Sequence, residues 1–302
     1  MSSPSLSACA AQLSTHPTVP AELGAPVSTS HLLEALQRPG SIAFEQVIAA
    51  DWTWSEDFAT PGVDPPDWTS DPLEGQVYFY KLRHSTRGLI LIDTGLPADT
   101  PRYLGAVVRN VFDIDNTFTP RLSTADALGG AQPSAVLLTH LHWDHVLGAR
   151  DLPREVPLYV GPGDGAQRNF LLSFIAPITR RALAGRGPLR EWRFSADPDG
   201  RTGGAIDVFG DGSVFAIWAP GHTPGSTAYI VNALDGVHLI TGDAIHSAAG
   251  WRGERVEYIT FDPDRPRAWE TLAQLQALER AIPGIIVHPG HQVLGAIPAA
   301  SP

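Results

Sequence analysis

The chain has 302 residues, of which 43% are hydrophobic and 18% charged, so it can bury a sizeable core, and extensive disorder is excluded. The formal net charge of −11 and the lack of a Lys/Arg cluster disfavour nucleic acid as a partner, because the field of the chain repels phosphate backbones. No stretch approaches the roughly 20 apolar residues needed for a transmembrane segment.

Residues 1–40 are rich in Ser, Ala, Pro and Thr, which predicts an N-terminal extension, a flexible arm, ahead of a catalytic domain over residues 41–302. The segment Leu6-Ser7-Ala8-Cys9 resembles the cleavage box of a bacterial lipoprotein. It lacks a preceding positive charge and an apolar run of about 7–15 residues. Two localisations therefore stay open: a soluble cytoplasmic protein, as the sequence is given, and a cell-envelope lipoprotein lipidated at Cys9.

Strands and helices alternate along the chain, which indicates a layered α/β architecture. Runs rich in β-branched and aromatic residues predict strands at 42–49, 77–82, 88–92, 135–139, 157–160, 214–218, 227–231, 237–241 and 285–287. Helical spacing of apolar residues predicts helices at 30–37, 164–184 and 266–282, with a break or kink at Pro177. The last helix is predicted to have one apolar stripe, formed by Trp269, Leu272, Leu275 and Leu278.

Two segments have aromatic residues that fit a binding cleft or a core equally. Asp51–Asp71 fits neither a helix nor a strand, as is typical of a lid or binding loop. It contains Trp52, Trp54 and Trp68. In the helix predicted at 164–184, Phe170, Leu171 and Phe174 either line a cleft for an acyl or aromatic group or pack in a core or dimer contact.

The strongest chemical signal is the segment Thr139–His145, with the sequence THLHWDH, directly after a predicted strand. Open α/β sheets place their sites at the carboxyl ends of strands. Three imidazoles and a carboxylate suit a metal such as zinc, which binds His nitrogen and Asp oxygen. An extended turn lets His140 and His142 point together. A helix that begins near residue 143 turns Asp144 and His145 to a neighbouring direction, so two metals can share the loop.

This segment resembles the His-x-His-x-Asp-His signature of the metallo-β-lactamase superfamily, and four further motifs occur along the chain in the family's order. They are Leu91-Ile92-Asp93-Thr94-Gly95, Pro220-Gly221-His222-Thr223-Pro224-Gly225-Ser226, Thr241-Gly242-Asp243 and His288-Pro289-Gly290-His291. Five ordered matches over about residues 41 to 295 make the resemblance specific. It implies a four-layer αβ/βα sandwich with a site at the open edge between two sheets.

The resemblance also implies two divalent metal ions, with zinc favoured and iron, cobalt or manganese as alternatives. The implied ligands are His140, His142 and His222 for one ion, Asp144, His145 and His291 for the other, and Asp243 as the bridge. Asp93 is expected to orient a ligand histidine. A hydroxide that bridges the metals is the expected nucleophile. Asp144 and Asp243 are expected to accept hydrogen bonds from it, and one of them to carry a proton to the leaving group.

Within the superfamily, the chain resembles the N-acyl-homoserine lactonases, which are quorum-quenching enzymes, and related lactone or ester hydrolases. The supporting stretches are Gly221–Gly225, Leu239–Ala244 and Phe261–Pro263. Trp143 is expected to line the acyl pocket. These lactonases commonly have a tyrosine three residues after the bridging aspartate, where this chain has His246. His246 is either catalytic and in contact with substrate or a residue of the pocket rim, and Tyr258 is a candidate replacement donor.

Alternative functions for the same residues are a phosphodiesterase or another hydrolase of the superfamily, a metal-dependent oxidoreductase, and a non-catalytic binding protein. The oxidoreductase stays open because these ligand types also hold iron. The complete set of seven predicted ligands disfavours the binding protein. The expected partner is a small molecule with an acyl or aromatic portion, and the resemblance alone suggests a homodimer.

Overall fold

Two β-sheets stack face to face between helices in this computed structural model, which describes residues 16–54, 73–111, 113–166, 172–253 and 265–294. The strands are β1 Thr18–Pro20, β2 Ala25–Val27, β3 Ala43–Trp54, β4 Leu73–His84, β5 Gly88–Ile92, β6 Phe118–Pro120, β7 Ala135–Leu137, β8 Leu158–Val160, β9 Leu189–Glu191, β10 Ala205–Asp207, β11 Val214–Trp218, β12 Thr227–Ala233, β13 Gly236–Gly242 and β14 Ile286–Pro289. The α-helices are Thr29–Ala35, Thr100–Tyr103, Ala106–Val111, Ile114–Thr117, Thr124–Leu128, Trp143–Val146, Leu172–Ala182, Ala248–Trp251 and Arg265–Ala281, and the 3₁₀ segments are Leu147–Asp151 and Asp164–Ala166.

The strand order in the described chain is β1-β9-β8-β7-β5-β4-β3-β6 in the first sheet and β14-β13-β12-β11-β10-β2 in the second. Alternate residues of a strand face opposite sides of its sheet. On β11, Val214 and Ala216 belong to the core between the sheets, whereas Phe215 and Ile217 belong to the core under the outer helices. A third core packs helices against the outer face of the first sheet. The predicted four-layer α/β fold is therefore confirmed.

Strand β3 is longer than the sequence predicts. It continues to Trp54 and pairs with β4 through Asp51↔Gln76 and Trp52↔Gly75, so the prediction that Asp51–Asp71 contains no strand is wrong for its first four residues. The register shifts between Ile48 and Ala50, and this irregularity interrupts the two-residue period that identifies a strand in a sequence. Trp68 and the rest of that loop up to residue 72 lie outside the described residues.

Residues 16–36 of the predicted N-terminal arm add one strand to each sheet. β1 pairs with β9 in the first sheet, and β2 pairs with β10 in the second. The helix Thr29–Ala35 buries Leu32 in the outer core. Asp197 accepts hydrogen bonds from the Thr29 amide at 3.0 Å and the Thr29 hydroxyl at 2.7 Å. The domain boundary at residue 40 stays a prediction, and Cys9 lies outside the described residues.

The two longest helices differ in detail from their predicted forms. The helix predicted at 164–184 begins as the 3₁₀ segment Asp164–Ala166, and the α-helix Leu172–Ala182 contains Pro177 without ending there. Phe170 and Leu171 lie outside the described residues, and Phe174 lies within this helix. In the helix Arg265–Ala281, Trp269 is 62% exposed, so its predicted place in the apolar stripe is wrong.

The buried face of Arg265–Ala281 instead runs from Ala268 through Leu275 to Leu278. Ala268 packs so closely on Gly221 that a Cβ at Gly221 would lie 2.8 Å from the Ala268 Cβ. The small residue at 268 therefore brings the helix against the loop that precedes His222. None of the described helices has the length and apolar composition needed to cross a membrane.

Two buried histidines on β13 and β14 form a hydrogen-bonded chain that ends at the surface. His238 Nε2 donates to Asp235 Oδ1 at 3.1 Å, and His288 Nε2 donates to His238 Nδ1 at 2.9 Å. His288 Nδ1 is buried and has no hydrogen-bond partner among the described residues. Burial lowers the pKa of His288 to about 3, so the folded protein holds this ring neutral.

We expect His288 to lower the free energy of unfolding as the pH falls from about 6.5 towards 3, because only the unfolded chain then protonates this ring. The stabilising effect of the neutral ring is present above the unfolded pKa and is lost below it. In His288→Phe, the pH slope should decrease by up to about 1.4 kcal/mol per pH unit. Urea unfolding in EDTA at several pH values measures it, with the exposed His31→Phe as control. Identical slopes in His288→Phe and the wild type would contradict the assignment.

Candidate metal centre

Loops at one edge of the two sheets bring all seven predicted ligands together. They form two groups, His140, His142, His222 and Asp243, and Asp144, His145, Asp243 and His291. In each group, one candidate ligand atom per residue lies within 4.8 Å of the others. Every side chain of the two groups is buried. We call these seven residues the histidine–aspartate cluster.

The first motif folds as an extended turn that runs into a short helix. His142 has extended backbone angles, with φ −70° and ψ 156°, and precedes the helix Trp143–Val146, which turns Asp144 and His145 away from it. Trp143, predicted to line the acyl pocket, is 2% exposed and packs 5.4 Å from Trp52, between ring centroids. Its substrate contact stays a prediction, and its observed contacts anchor the motif in the core.

Asp243 belongs to both groups and lies between their histidines. Its Oδ2 is 3.6 Å from His140 Nε2 and 3.5 Å from His222 Nε2. Its Oδ1 is 3.3 Å from His145 Nε2, and both of its oxygens are 3.4 Å from His291 Nε2. Gly242, with φ +53°, makes the tight turn that aims Asp243 back at the cluster. One carboxylate therefore has the position of a bridge.

Hydrogen bonds on the far side of two rings aim their Nε2 atoms into the cluster. His145 Nδ1 donates to Asp93 Oδ2 at 2.8 Å. His291 Nδ1 donates to the Gln76 carbonyl at 3.0 Å. With the proton on Nδ1, Nε2 keeps its lone pair for a metal. Asp93 therefore lies where an orienting residue belongs, whereas Gln76, which acts through its backbone, gives no signal in the sequence.

Thr139 is a functional residue that the sequence reasoning missed. Its amide donates to Asp93 Oδ1 at 2.7 Å and its hydroxyl donates to Asp93 Oδ2 at 2.9 Å. The same hydroxyl oxygen accepts from His140 Nδ1 at 3.1 Å. Asp93 itself has a φ of +56°, a left-handed conformation that Asp tolerates better than most residues. The position of Thr139 directly before His140 was the available signal.

The pKa values of the three histidines in the first group are shifted in the opposite direction to that of His145 in the second. Burial holds the pKa of His140 and of His222 well below the usual value and lowers that of His142 to about 4. Burial also opposes the charged form of His145, but the Asp243 and neighbouring carboxylates outweigh it and raise its pKa well above the usual value. Buried carboxylates thus attract positive charge in this second group.

The donor atoms fit divalent metals. The Nε2 atoms of His140 and His145 and the Oδ1 of Asp243 are buried without a hydrogen-bond partner in the described chain. Such atoms cost about 1–3 kcal/mol each when unsatisfied, and a cation satisfies them. His142 Nδ1 and His222 Nε2 lie 2.8 Å apart. Imidazole nitrogens with carboxylate oxygens are the donors that zinc prefers, although iron, cobalt and manganese also accept them.

His246 lies at the more accessible side of the cluster. Its side chain is 15% exposed, against 4% for Asp243, and its Nε2 is 3.5 Å from Asp243 Oδ2. Its ring centroid is 5.6 Å from those of His222 and His291. Tyr258, the other candidate substrate contact, lies outside the described residues. His246 is thus near enough to touch a substrate at the cluster.

Comparison with known proteins identifies a family model that matches the sequence and solved structures that share the fold. The family model described as the metallo-beta-lactamase superfamily matches residues 71–291. The cytochrome P450 monooxygenase mpaDE of Penicillium roqueforti is 26% identical over 249 residues, 77% of this chain and 28% of that protein. Probable metallo-hydrolase YqgX of Bacillus subtilis is 34% identical over 126 residues, 38% of this chain and 51% of that protein. The chain thus spans between about a quarter and a half of these relatives.

Among solved structures, a B. thuringiensis AiiA mutant with N-decanoyl-L-homoserine bound at its active site superposes with a TM-score of 0.60. The alignment covers 84% of this chain and 94% of that chain at 17% identity. At this identity the likeness shows a shared fold.

Proposed function

Because the chain belongs to the metallo-beta-lactamase superfamily, we propose that it is a dinuclear metal-dependent hydrolase that opens lactone or ester bonds. The observation that carries the proposal is the position of Asp243, whose Oδ2 faces His140 of the first group and whose Oδ1 faces His145 of the second. Histidines and carboxylates divided in this way suit two ions with a shared ligand. The relative with an acyl-homoserine at its active site supports an acyl substrate.

In this proposal, His140, His142 and His222 would hold one ion, Asp144, His145 and His291 would hold the other, and Asp243 would be a ligand of both. Bound divalent ions would lower the pKa of water and polarise a carbonyl oxygen. Asp144 has an oxygen 3.4 Å from His145 Nε2, at the edge of the second group. Asp144 and Asp243 accept hydrogen bonds from the attacking water, and one of them takes its proton.

The proposed reaction consumes one water molecule for each lactone or ester bond that it cleaves. Water oxygen bonds to the carbonyl carbon, the ring or ester C–O bond breaks, and a carboxylic acid and an alcohol form; the acid then releases the second water proton to solvent and becomes the carboxylate. The proton held by Asp144 or Asp243 passes to the departing alkoxide oxygen. His246, at the accessible side of the cluster, donates a hydrogen bond to the substrate carbonyl or the leaving oxygen. Trp143 and Tyr258 are further proposed substrate contacts.

We expect lactone hydrolysis to exceed phosphodiester hydrolysis by at least about tenfold in kcat/KM, or about 1.4 kcal/mol in transition-state binding. A chain with a net charge of −11 disfavours an anionic phosphodiester over a neutral lactone. The measurement is a panel of N-acyl-homoserine lactones of several chain lengths, simple lactones, aryl esters and an aryl phosphodiester. Asp243→Asn protein, purified by the same procedure, is the control for contaminating hydrolases.

Cleavage of the phosphodiester alone would overturn the lactone or ester assignment and leave the metal site standing. Oxygen consumption by the iron-loaded protein, without hydrolysis of any panel member, would instead favour an oxidoreductase on this fold.

A further inference from the structure

A buried aspartate outside the histidine–aspartate cluster lies against two of its loops. Asp164 is 1% exposed and begins the 3₁₀ segment that follows β8. Its Oδ1 accepts from the Gly225 amide at 3.0 Å. Burial raises the pKa of Asp164 to about 7, against the effect of hydrogen bonds that the Thr223 hydroxyl and the amides of Gly225 and Leu141 donate to it. Three donors from two loops therefore meet on one carboxylate.

Two of these donors adjoin candidate ligands in sequence. Leu141 lies between His140 and His142, and Thr223 directly follows His222. The first loop leaves β7 in the eight-stranded sheet, and the second joins β11 to β12 in the six-stranded sheet. Asp164 thus ties together loops that belong to different sheets.

The backbone around Asp164 packs closely against the loop that contains Gly225. A Cβ at Gly161 would overlap the carbonyl oxygen of Gly225. A Cβ at Gly225 would lie 2.8 Å from the carboxyl carbon of Asp164. Thr227, two residues further on, donates from its amide to the Thr139 carbonyl at 2.9 Å. The segment 161–166 therefore packs directly against the loop that follows His222, and that loop is hydrogen-bonded to the one that carries His140.

We propose that Asp164 is a positioning residue that holds the loops of His140, His142 and His222 in one arrangement, so that their imidazoles converge on the same metal ion. This inference rests on the proposed dinuclear function. Asp164 acts on these loops through the amides of Gly225 and Leu141 and the hydroxyl of Thr223. Partners that orient metal ligands from outside the coordination sphere typically contribute about 10- to 100-fold in metal affinity.

Asp164→Asn provides a test because its amide group keeps the shape of the side chain and one acceptor oxygen. The NH₂ group cannot accept, so at least one of the three donors loses its partner. Asp197→Asn is the matched control, since Asp197 is a buried aspartate that also accepts backbone and threonine hydrogen bonds, but from Thr29 and Thr202. The metal-free proteins are titrated with Co²⁺. Calorimetry and visible absorption then measure the stoichiometry and affinity of metal binding independently of turnover.

We expect the wild type and Asp197→Asn to bind two equivalents of Co²⁺. Asp164→Asn should bind one equivalent about 10- to 100-fold more weakly and the other nearly unchanged. Unchanged binding of both equivalents by Asp164→Asn would overturn the inference alone. A wild type that binds no metal would overturn both the inference and the proposed function. Metal binding without hydrolysis would count against the function and leave the positioning role intact.

If Asp164→Asn does not fold, a pair of variants at Thr223 tests the same inference. Thr223→Val removes one donor to Asp164, and Thr223→Ser keeps it. Weaker binding of one equivalent by the valine variant, with recovery in the serine variant, supports the inference. Equal affinities in the two variants would overturn it.

Discussion

Asp243→Asn is expected to lose tight binding of at least one metal and, with it, hydrolysis. The carboxylate presents Oδ2 to His140 and Oδ1 to His145, and an amide nitrogen in place of either oxygen cannot bind a cation. Metal ions contribute several kcal/mol to transition-state stabilisation, so kcat/KM should fall by about 10³-fold. Metal content by mass spectrometry and kcat/KM on the preferred panel substrate are the two readouts.

Asp207→Asn is the control for that experiment. Asp207 is also a buried aspartate, but it accepts from the amides of Gly210 and Gly212, on a turn that is not part of the cluster. We expect this variant to lose stability without loss of metal. If Asp243→Asn retained both metals and wild-type turnover, the bridging role would be wrong.

Gly290→Ala is expected to disable the centre with little effect on the fold. A Cβ at Gly290 would overlap Oδ1 of Asp243, which is the end of a side chain and can move aside. The carboxylate must then leave its position between the two groups, and a displacement of about 1 Å can cost about 10²-fold in rate. We therefore expect kcat/KM to fall by about 10²-fold, with weaker metal retention and a nearly unchanged melting temperature in EDTA.

Gly105→Ala is the matched substitution, because a Cβ at Gly105 meets no atom of the described residues within 4 Å. It should leave metal content and turnover unchanged. Wild-type activity in Gly290→Ala would mean that the Asp243 carboxylate does not need its observed position. A large drop in melting temperature in EDTA would show that the effect on activity arises from the fold.

The ligand cluster is predicted from two signals in the sequence, the local spacing of residues 140 to 145 and the family motifs that contain His222, Asp243 and His291. His140 and His142 alternate on an extended turn, and the helix that begins at Trp143 turns the next two residues, so spacing alone predicts their directions. The alternation of strands and helices predicts only a layered α/β architecture. The four-layer arrangement was implied by the family resemblance, and the two cores on either side of β11 confirm it.

Features that depend on distant segments escaped the sequence reasoning. The role of Gln76 is carried by a carbonyl oxygen that no side chain marks. Trp143 is anchored by Trp52, which is distant in the chain, so the motif alone could not show it buried. Trp269 fits an apolar period but faces outward, because the helix is oriented by the contact between Ala268 and Gly221. Asp164 has no signature beyond a lone carboxylate after a strand.

Crystals of the wild-type protein grown with Zn²⁺ and measured at the zinc absorption edge test the dinuclear centre most directly. We expect two anomalous peaks, one between His140, His142 and His222 and one between Asp144, His145 and His291, with Asp243 in contact with both. A single peak, or none within the cluster, would contradict the two-metal assignment and the hydrolytic function built on it.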